Sequence, residues 1–221
     1  MRLEAVIFDF DGLILDTEKA EFDSWCDIYR EHGARLEFRE WSICIGTTNV
    51  FDPIAHLEGL TGLTLDRGAV TARRVVKNRR LLDGMKLLPG VIARLDEADA
   101  LGLKVGLASS STDSWVEGNL REHGIRDRFQ VVRTRTQVPR AKPAPDLFLA
   151  AAGALGASPV RCVALEDSMN GIRSAKDAGM FCVAVPNELT CQLDLSAADL
   201  NVPSLADFTF AQVDALMAVR R

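Results

Sequence analysis

An excess of positive charge is missing from this chain, and the absence is informative. Its 221 residues carry 26 lysines and arginines against 31 aspartates and glutamates, a net charge of −5 with a pI near 5.3. Such a balance offers no broad basic surface for nucleic acid. No apolar run approaches the roughly 20 residues needed to cross a membrane. The first residues do not read as a signal peptide either, because Asp9 would interrupt any apolar h-region. The five cysteines (Cys26, Cys44, Cys162, Cys182 and Cys191) are odd in number and form no CxxC pair, which is the pattern of reduced thiols in a cytoplasmic protein. His32, His56 and His123 lack any metal-binding spacing. Walker A, GxGxxG and HExxH sequences are absent, as are internal repeats and low-complexity tracts. The length suits one large domain or a domain with a smaller attachment.

What is present is concentrated near the N-terminus. Ala5-Val6-Ile7-Phe8 runs directly into Asp9-Phe10-Asp11-Gly12. A short apolar run closed by a glycine turn reads as a buried strand. Residues i and i+2 of an extended segment point the same way, so Asp9 and Asp11 leave the strand end together. Two carboxylates aimed at one pocket repel each other and are costly to desolvate. A calcium loop is excluded, because Leu13, Ile14 and Ala20 stand where that motif needs an oxygen ligand, glycine and glutamate. Metal binding or acid–base chemistry remains.

Further along, Asp16 or Thr17 can cap a helix whose Phe22, Trp25 and Tyr29 form an apolar stripe. From there to residue 84, short helical patterns alternate with turns and no strand-like run occurs. After Leu88-Pro89-Gly90 the pattern alternates strictly. Helices are expected over 91–101, 113–122, 145–155, 168–178 and 210–219, and strands over 103–108, 129–132, 162–165 and 182–185. Alternating strands and helices imply right-handed crossovers and a parallel sheet covered on both faces. Such sheets bind ligands beyond the carboxyl ends of their strands. Asp9, Asp11, Ser109, Glu166 and Asp167 all sit at those ends, and Lys142 precedes a helix.

This set suits phosphoryl transfer. Mg²⁺ takes oxygen ligands, usually one or two carboxylates with phosphate and water. Asp9 and Asp167 could supply the carboxylates, helped by Glu166 and the Asp11 backbone carbonyl. A carboxylate can also be the nucleophile that forms an aspartyl-phosphate. Asp9 suits that role, with Asp11 as general acid and then base. Ser109 and Lys142 would bind and neutralise the transferring group. The expected substrate contacts around them are Gly12, Thr17, Glu18, Thr47, Thr48, Asn49, Ser110, Ser111 and Asn170. Trp25, Trp41 and Trp115 read as packing residues, and Arg73, Arg74 and Lys77 as a solvated helix face.

Asp9-Phe10-Asp11-Gly12, Ala108-Ser109-Ser110-Ser111, Lys142-Pro143-Ala144-Pro145 and Glu166-Asp167-Ser168, in that order, resemble the haloacid dehalogenase superfamily. The chain looks most like its phosphatases and β-phosphoglucomutase-like members with a helical cap. The resemblance covers essentially the whole chain. It implies an α/β fold with a Rossmann-like parallel-sheet core over 1–16 and 85–221, and a small all-helical cap over 17–84 inserted after the first strand. It also implies Mg²⁺ dependence and an aspartyl-phosphate intermediate, with the residue roles given above. Dehalogenases of the superfamily lack the second aspartate, so Asp11 favours phosphoryl transfer. Related mutases carry an arginine where this chain has Asn49 and a histidine where it has Glu21, which favours a phosphatase over a mutase. The expectation is therefore a monomeric, cytoplasmic, Mg²⁺-dependent phosphatase of a small phosphorylated, sugar phosphate-like metabolite.

Overall fold

The computed structural model describes residues 3–47 and 50–219. Its centre is β1 (Ala5–Phe8), all four residues of which are buried. Five more strands follow: β2 (Lys104–Ser109), β3 (Val131–Thr134), β4 (Cys162–Glu166), β5 (Phe181–Ala184) and β6 (Leu200–Asn201). They form one sheet in the order β3-β2-β1-β4-β5-β6, with every pairing parallel. This is a Rossmann-like order. The chain runs outward from β1 to β3, then returns to the other side of β1 to lay down β4. That reversal opens a crevice beyond the ends of β1 and β4.

Alternation along β1 divides the core. Val6 and Phe8 join one apolar cluster, with Leu95 of α5 (Val91–Ala100), Leu120 of α6 (Asp113–Glu122) and Phe210 of α9 (Phe210–Val219). Ala5 and Ile7 join the other, with Phe148 of α7 (Asp146–Leu155) and Ile172 of α8 (Met169–Asp177). The period of two thus covers the sheet on both faces. Phe8 meets Phe129 edge to face at 5.8 Å.

Between β1 and β2 the chain forms α1 (Thr17–Glu31), α2 (Phe38–Trp41), α3 (Pro53–Thr61) and α4 (Arg67–Leu82). Trp25, Ile28 and Tyr29 of α1 pack with Trp41, Leu57 and Val70 in a third apolar cluster. The outgoing and returning connections lie side by side, since the Leu88 N–H donates to the Ile14 carbonyl at 2.9 Å. Helices α6 and α9 have the expected limits. Strand β3 begins two residues later than the sequence suggests, because a 3-10 turn at Arg126–Arg128 delays it. Strand β6 was not expected: two residues carry no readable period.

Candidate active site

The site grows from the end of β1. The ladder to β4 runs one step past the strand, where the Asp9 N–H donates to the Leu165 carbonyl at 2.9 Å. A tight turn follows, closed by the Gly12 N–H on the Leu15 carbonyl at 2.7 Å. Gly12 has φ +81°, and a Cβ there would lie 2.3 Å from Asp167 Oδ2. Both facts require glycine. The turn delivers Asp9 into the crevice next to Glu166 and Asp167, which end β4.

These three buried side chains offer carboxylate oxygens within 4.8 Å of one another. Lys142 Nζ, fully buried, donates to Asp9 Oδ1 and to Glu166 Oε1, the latter at 2.5 Å. Glu166 Oε2 accepts the N–H groups of Asp167 (3.1 Å) and Ser168 (3.2 Å) and the Ser168 hydroxyl (3.0 Å). Glu166 is therefore saturated from both sides. Asp167 is not: Oδ2 accepts from Asn187 Nδ2 at 2.9 Å, whereas Oδ1 is buried with no hydrogen-bond partner among the described residues.

One ammonium faces three buried carboxylates. Burial pushes the Asp9 carboxyl up to about 8, against the pull of Lys142 and with Glu166 adding to the rise. Burial, then the charges of Glu166 and Asp9, push Asp167 well above the usual carboxylate range. Burial alone would favour neutral Lys142, but Asp9 and Glu166 outweigh it and keep the lysine charged. A hard divalent cation fits this donor set. It would meet the unpartnered Asp167 Oδ1, and its charge would bring both aspartates back to the ionised state.

Asp11 stands apart from that cluster. Its Oδ1 accepts from Thr17 Oγ1 at 2.8 Å and Trp115 Nε1 at 2.9 Å. Its Oδ2 accepts from Ser111 Oγ at 2.6 Å and Ser109 Oγ at 3.3 Å. The Asp11 side chain thus belongs with the hydroxyls after β2, which leaves its backbone carbonyl as the atom read from sequence as a metal contact. Ser109 Oγ also accepts the Ser111 N–H at 3.0 Å, which shapes the loop opening α6.

A cavity of about 660 Å³ lies between the sheet edge and the α1–α4 helices. Asp9, Asp11, Thr17, Glu18, Thr47, Ser109, Ser110 and Ser111 line it. Gly12, Lys142, Glu166 and Asp167 are not among its lining residues, and Lys142 meets it through Asp9. Asn170 is turned elsewhere: its amide donates to the carbonyls of Ile43 (3.2 Å) and Ile45 (2.9 Å), tying α8 to the turn before α3. Ser110 Oγ holds the Gly46 carbonyl of that turn at 3.1 Å, and Thr47 Oγ1 donates to the Lys142 carbonyl. Gly46 sits so close to the core that an added Cβ would meet Ser168 Oγ at 2.1 Å. Thr48 and Asn49 lie outside the described residues. Of the basic trio on α4, Arg73 and Lys77 pair outward with Glu31, whereas Arg74 lines the cavity and donates to Glu21 at 2.7 Å. Burial raises both Glu18 and Glu21, with Asp11 adding to each and Arg74 restraining Glu21.

Two residues that bond the aspartates of the site escaped the sequence reading. Asn187 lies three residues beyond β5 and bonds both Asp167 Oδ2 and the Gly12 carbonyl (3.0 Å). The rule that sites gather beyond strand ends points to it. Trp115 was read as packing, and its ring does pack against the core, but its N–H reaches Asp11.

A parallel sheet with acidic residues at its switch point defines an α/β enzyme with a phosphate- and cation-compatible crevice. The profile of the haloacid dehalogenase-like hydrolase family matches residues 6–185, and the chain belongs to that family. It is 44% identical over 209 residues to the YhcW protein of Bacillus subtilis (strain 168), covering 95% of each chain. It is 32% identical over 214 residues to hexitol phosphatase B of Escherichia coli (strain K12), covering 94% of this chain and 95% of that protein. Among solved structures, a β-phosphoglucomutase from Clostridium difficile superposes with a TM-score of 0.77, at 24% identity and 98% coverage of each chain. That likeness shows the shared fold.

Proposed function

We propose that this protein is a Mg²⁺-dependent phosphatase of a small phosphorylated metabolite, acting as a monomer in the cytoplasm. The observation that carries the reading is the buried set Asp9, Lys142, Glu166 and Asp167 at the crevice floor, with Asp11 and Ser109 in its wall. Phosphatase chemistry in a relative of nearly full-length coverage supports it.

In this reading an Asp9 oxygen attacks phosphorus and the ester P–O bond breaks, while Asp11 protonates the departing oxygen. Asp11 then takes a proton from water, whose oxygen attacks phosphorus. The bond to Asp9 breaks and phosphate leaves. Asp9, Asp167 and the Asp11 carbonyl would hold Mg²⁺, which would supply charge neutralisation for the phosphoryl group. Lys142 keeps Asp9 placed, and Ser109 offers a donor to phosphate oxygens. Residues 17–84 serve as a cap on a core of 1–16 and 85–221, hinged near 15–16 and 83–86, that excludes water when closed.

The remainder of the substrate would lie against α1 and α4. Arg74 Nε, Trp41 Nε1 and Asn78 Oδ1 are buried without partners among the described residues, and the three residues line the same cavity. Two donors and an acceptor beside the Glu21–Arg74 pair suit a polyhydroxylated chain or ring. Arg79 and Arg135 also line the cavity and sustain a second reading, a sugar-phosphate mutase holding a second phosphate.

A panel of hexitol, aldose, nucleotide and glycolate phosphates separates these readings. Mg²⁺-dependent phosphate release by the wild type, abolished in Asp9→Asn, is expected. Comparable release by Asp9→Asn would sink the proposal. Isomerisation of β-glucose 1-phosphate with its bisphosphate, without net phosphate release, would establish the mutase.

A further inference from the structure

We propose that Trp115 is a positioning residue that fixes which oxygen of Asp11 carries the proton delivered to the leaving group. The inference rests on the general-acid reading of Asp11.

The two oxygens of Asp11 meet different kinds of partner. Oδ1 receives Trp115 Nε1–H at 2.9 Å and Thr17 Oγ1–H at 2.8 Å. Oδ2 receives Ser111 Oγ at 2.6 Å and Ser109 Oγ at 3.3 Å. An indole N–H can only donate, whereas serine hydroxyls donate or accept by turning. Thr17 Oγ1 could turn as the serines can, but an O–H oxygen is a poor acceptor, so the fixed indole N–H is best met when Oδ1 carries no proton. A proton on Asp11 belongs on Oδ2, whose serine partners can rotate to accept it. Oδ2 is also on the side of Ser109, the proposed phosphate ligand.

The indole is well held for this task. Trp115 sits in the first half of α6 and packs against the sheet cluster. Trp115 lines both the active-site cavity and a second cavity of about 350 Å³, the latter also lined by Leu15, Asp83 and Met85 of the two connections to the α1–α4 helices. The donor to Asp11 is thus anchored in the core at the point where those connections pass. A flexible donor would fix neither the carboxyl plane nor the acceptor oxygen.

The test compares two esters of similar shape. Phenyl phosphate needs a proton on its departing oxygen, whereas p-nitrophenyl phosphate expels a stable phenolate without one. The value of kcat/KM reports the first transfer, in which Asp11 acts as acid. Trp115→Phe keeps the ring and removes the donor. It should lower kcat/KM for phenyl phosphate about 10- to 100-fold, part of the 10²–10⁴ that general acid catalysis supplies, and change p-nitrophenyl phosphate less than about threefold. Equal losses on both esters, or no loss on either, would overturn the assignment. Asp11→Asn serves as the control. If it hydrolyses phenyl phosphate like the wild type, the acid reading itself fails. If it is inactive while Trp115→Phe matches the wild type, only the Trp115 inference fails. A second measurement does not depend on the folding of Trp115→Phe. In the ¹⁵N–¹H spectrum, one of the three indole signals should shift markedly in Asp11→Asn, and no shift in any would count against the contact.

Discussion

The two sides of the molecule that meet at the cavity handle charge in opposite ways. On the core side, Lys142 is wholly buried between Asp9 and Glu166, with side-chain exposures of 0%, 5% and 0%. On the helical side, Arg67–Asp52 and Arg73–Glu31 are about half exposed. Exposed pairs of this kind contribute roughly 0–1 kcal/mol. A buried cluster is different, because desolvation offsets most of its Coulomb gain and removing one partner strands the others. A fold gains little stability from such a cluster, so its presence at a strand-end crevice points to chemistry. Arg74–Glu21 is intermediate, with exposures of 17% and 42%, and faces the cavity rather than solvent.

Substitutions on the two sides should therefore differ in kind. Lys142→Met should have the largest effect. It should abolish turnover and lower stability by about 3–5 kcal/mol, read from urea unfolding, because Asp9 and Glu166 lose their counter-ion in a buried site. A loss under 1 kcal/mol would show that the cluster tolerates its own charge. On the helical side, Arg74→Ala should raise KM for the best substrate about tenfold, the scale of one hydrogen bond to a charged group. Arg73→Ala, one residue away and outward-facing, should leave KM within about twofold. Equal effects would erase the distinction between the two arginines. The smallest change concerns stability alone. Asp52 caps α3 through the N–H groups of Ala55 and Ile54 and meets Arg67. The Ala55 N–H and Arg67 hold its carboxyl below the usual range. A depressed folded value means that the contribution is present at neutral pH and is lost as pH falls through that value. Asp52→Ala should cost about 1 kcal/mol at pH 7, and the difference should close in acid.

The same contrast explains what could be read from residues alone. Asp9, Asp11, Ser109, Lys142, Glu166 and Asp167 follow strand ends or open a helix, so local pattern and the crevice rule suffice to gather them. The alternation of helices and strands likewise yields the parallel sheet. The helical wall is built differently. Glu21, Trp41 and Arg74 come from three helices, and periodicity identifies a helix without stating which face meets the core. Arg73, Arg74 and Lys77 look alike in sequence, yet only Arg74 of the three lines the cavity. Asn170 illustrates the converse. Its place beside Glu166-Asp167 suggests a ligand contact, but its amide holds the carbonyls of Ile43 and Ile45. Trp115 has an apolar body and a polar tip, and the tip meets Asp11, 104 residues away in the chain, a contact that only the fold creates.

In the proposed reaction Asp9 becomes phosphorylated. Rapid acid quench of the enzyme during turnover of p-nitrophenyl phosphate with Mg²⁺, followed by peptide mass analysis, tests it directly. The peptide carrying Asp9 should gain one phosphoryl group in the wild type and gain none in Asp9→Asn. Steady turnover with no phosphoryl group on Asp9, or with one on another residue, would rule out Asp9 as the nucleophile.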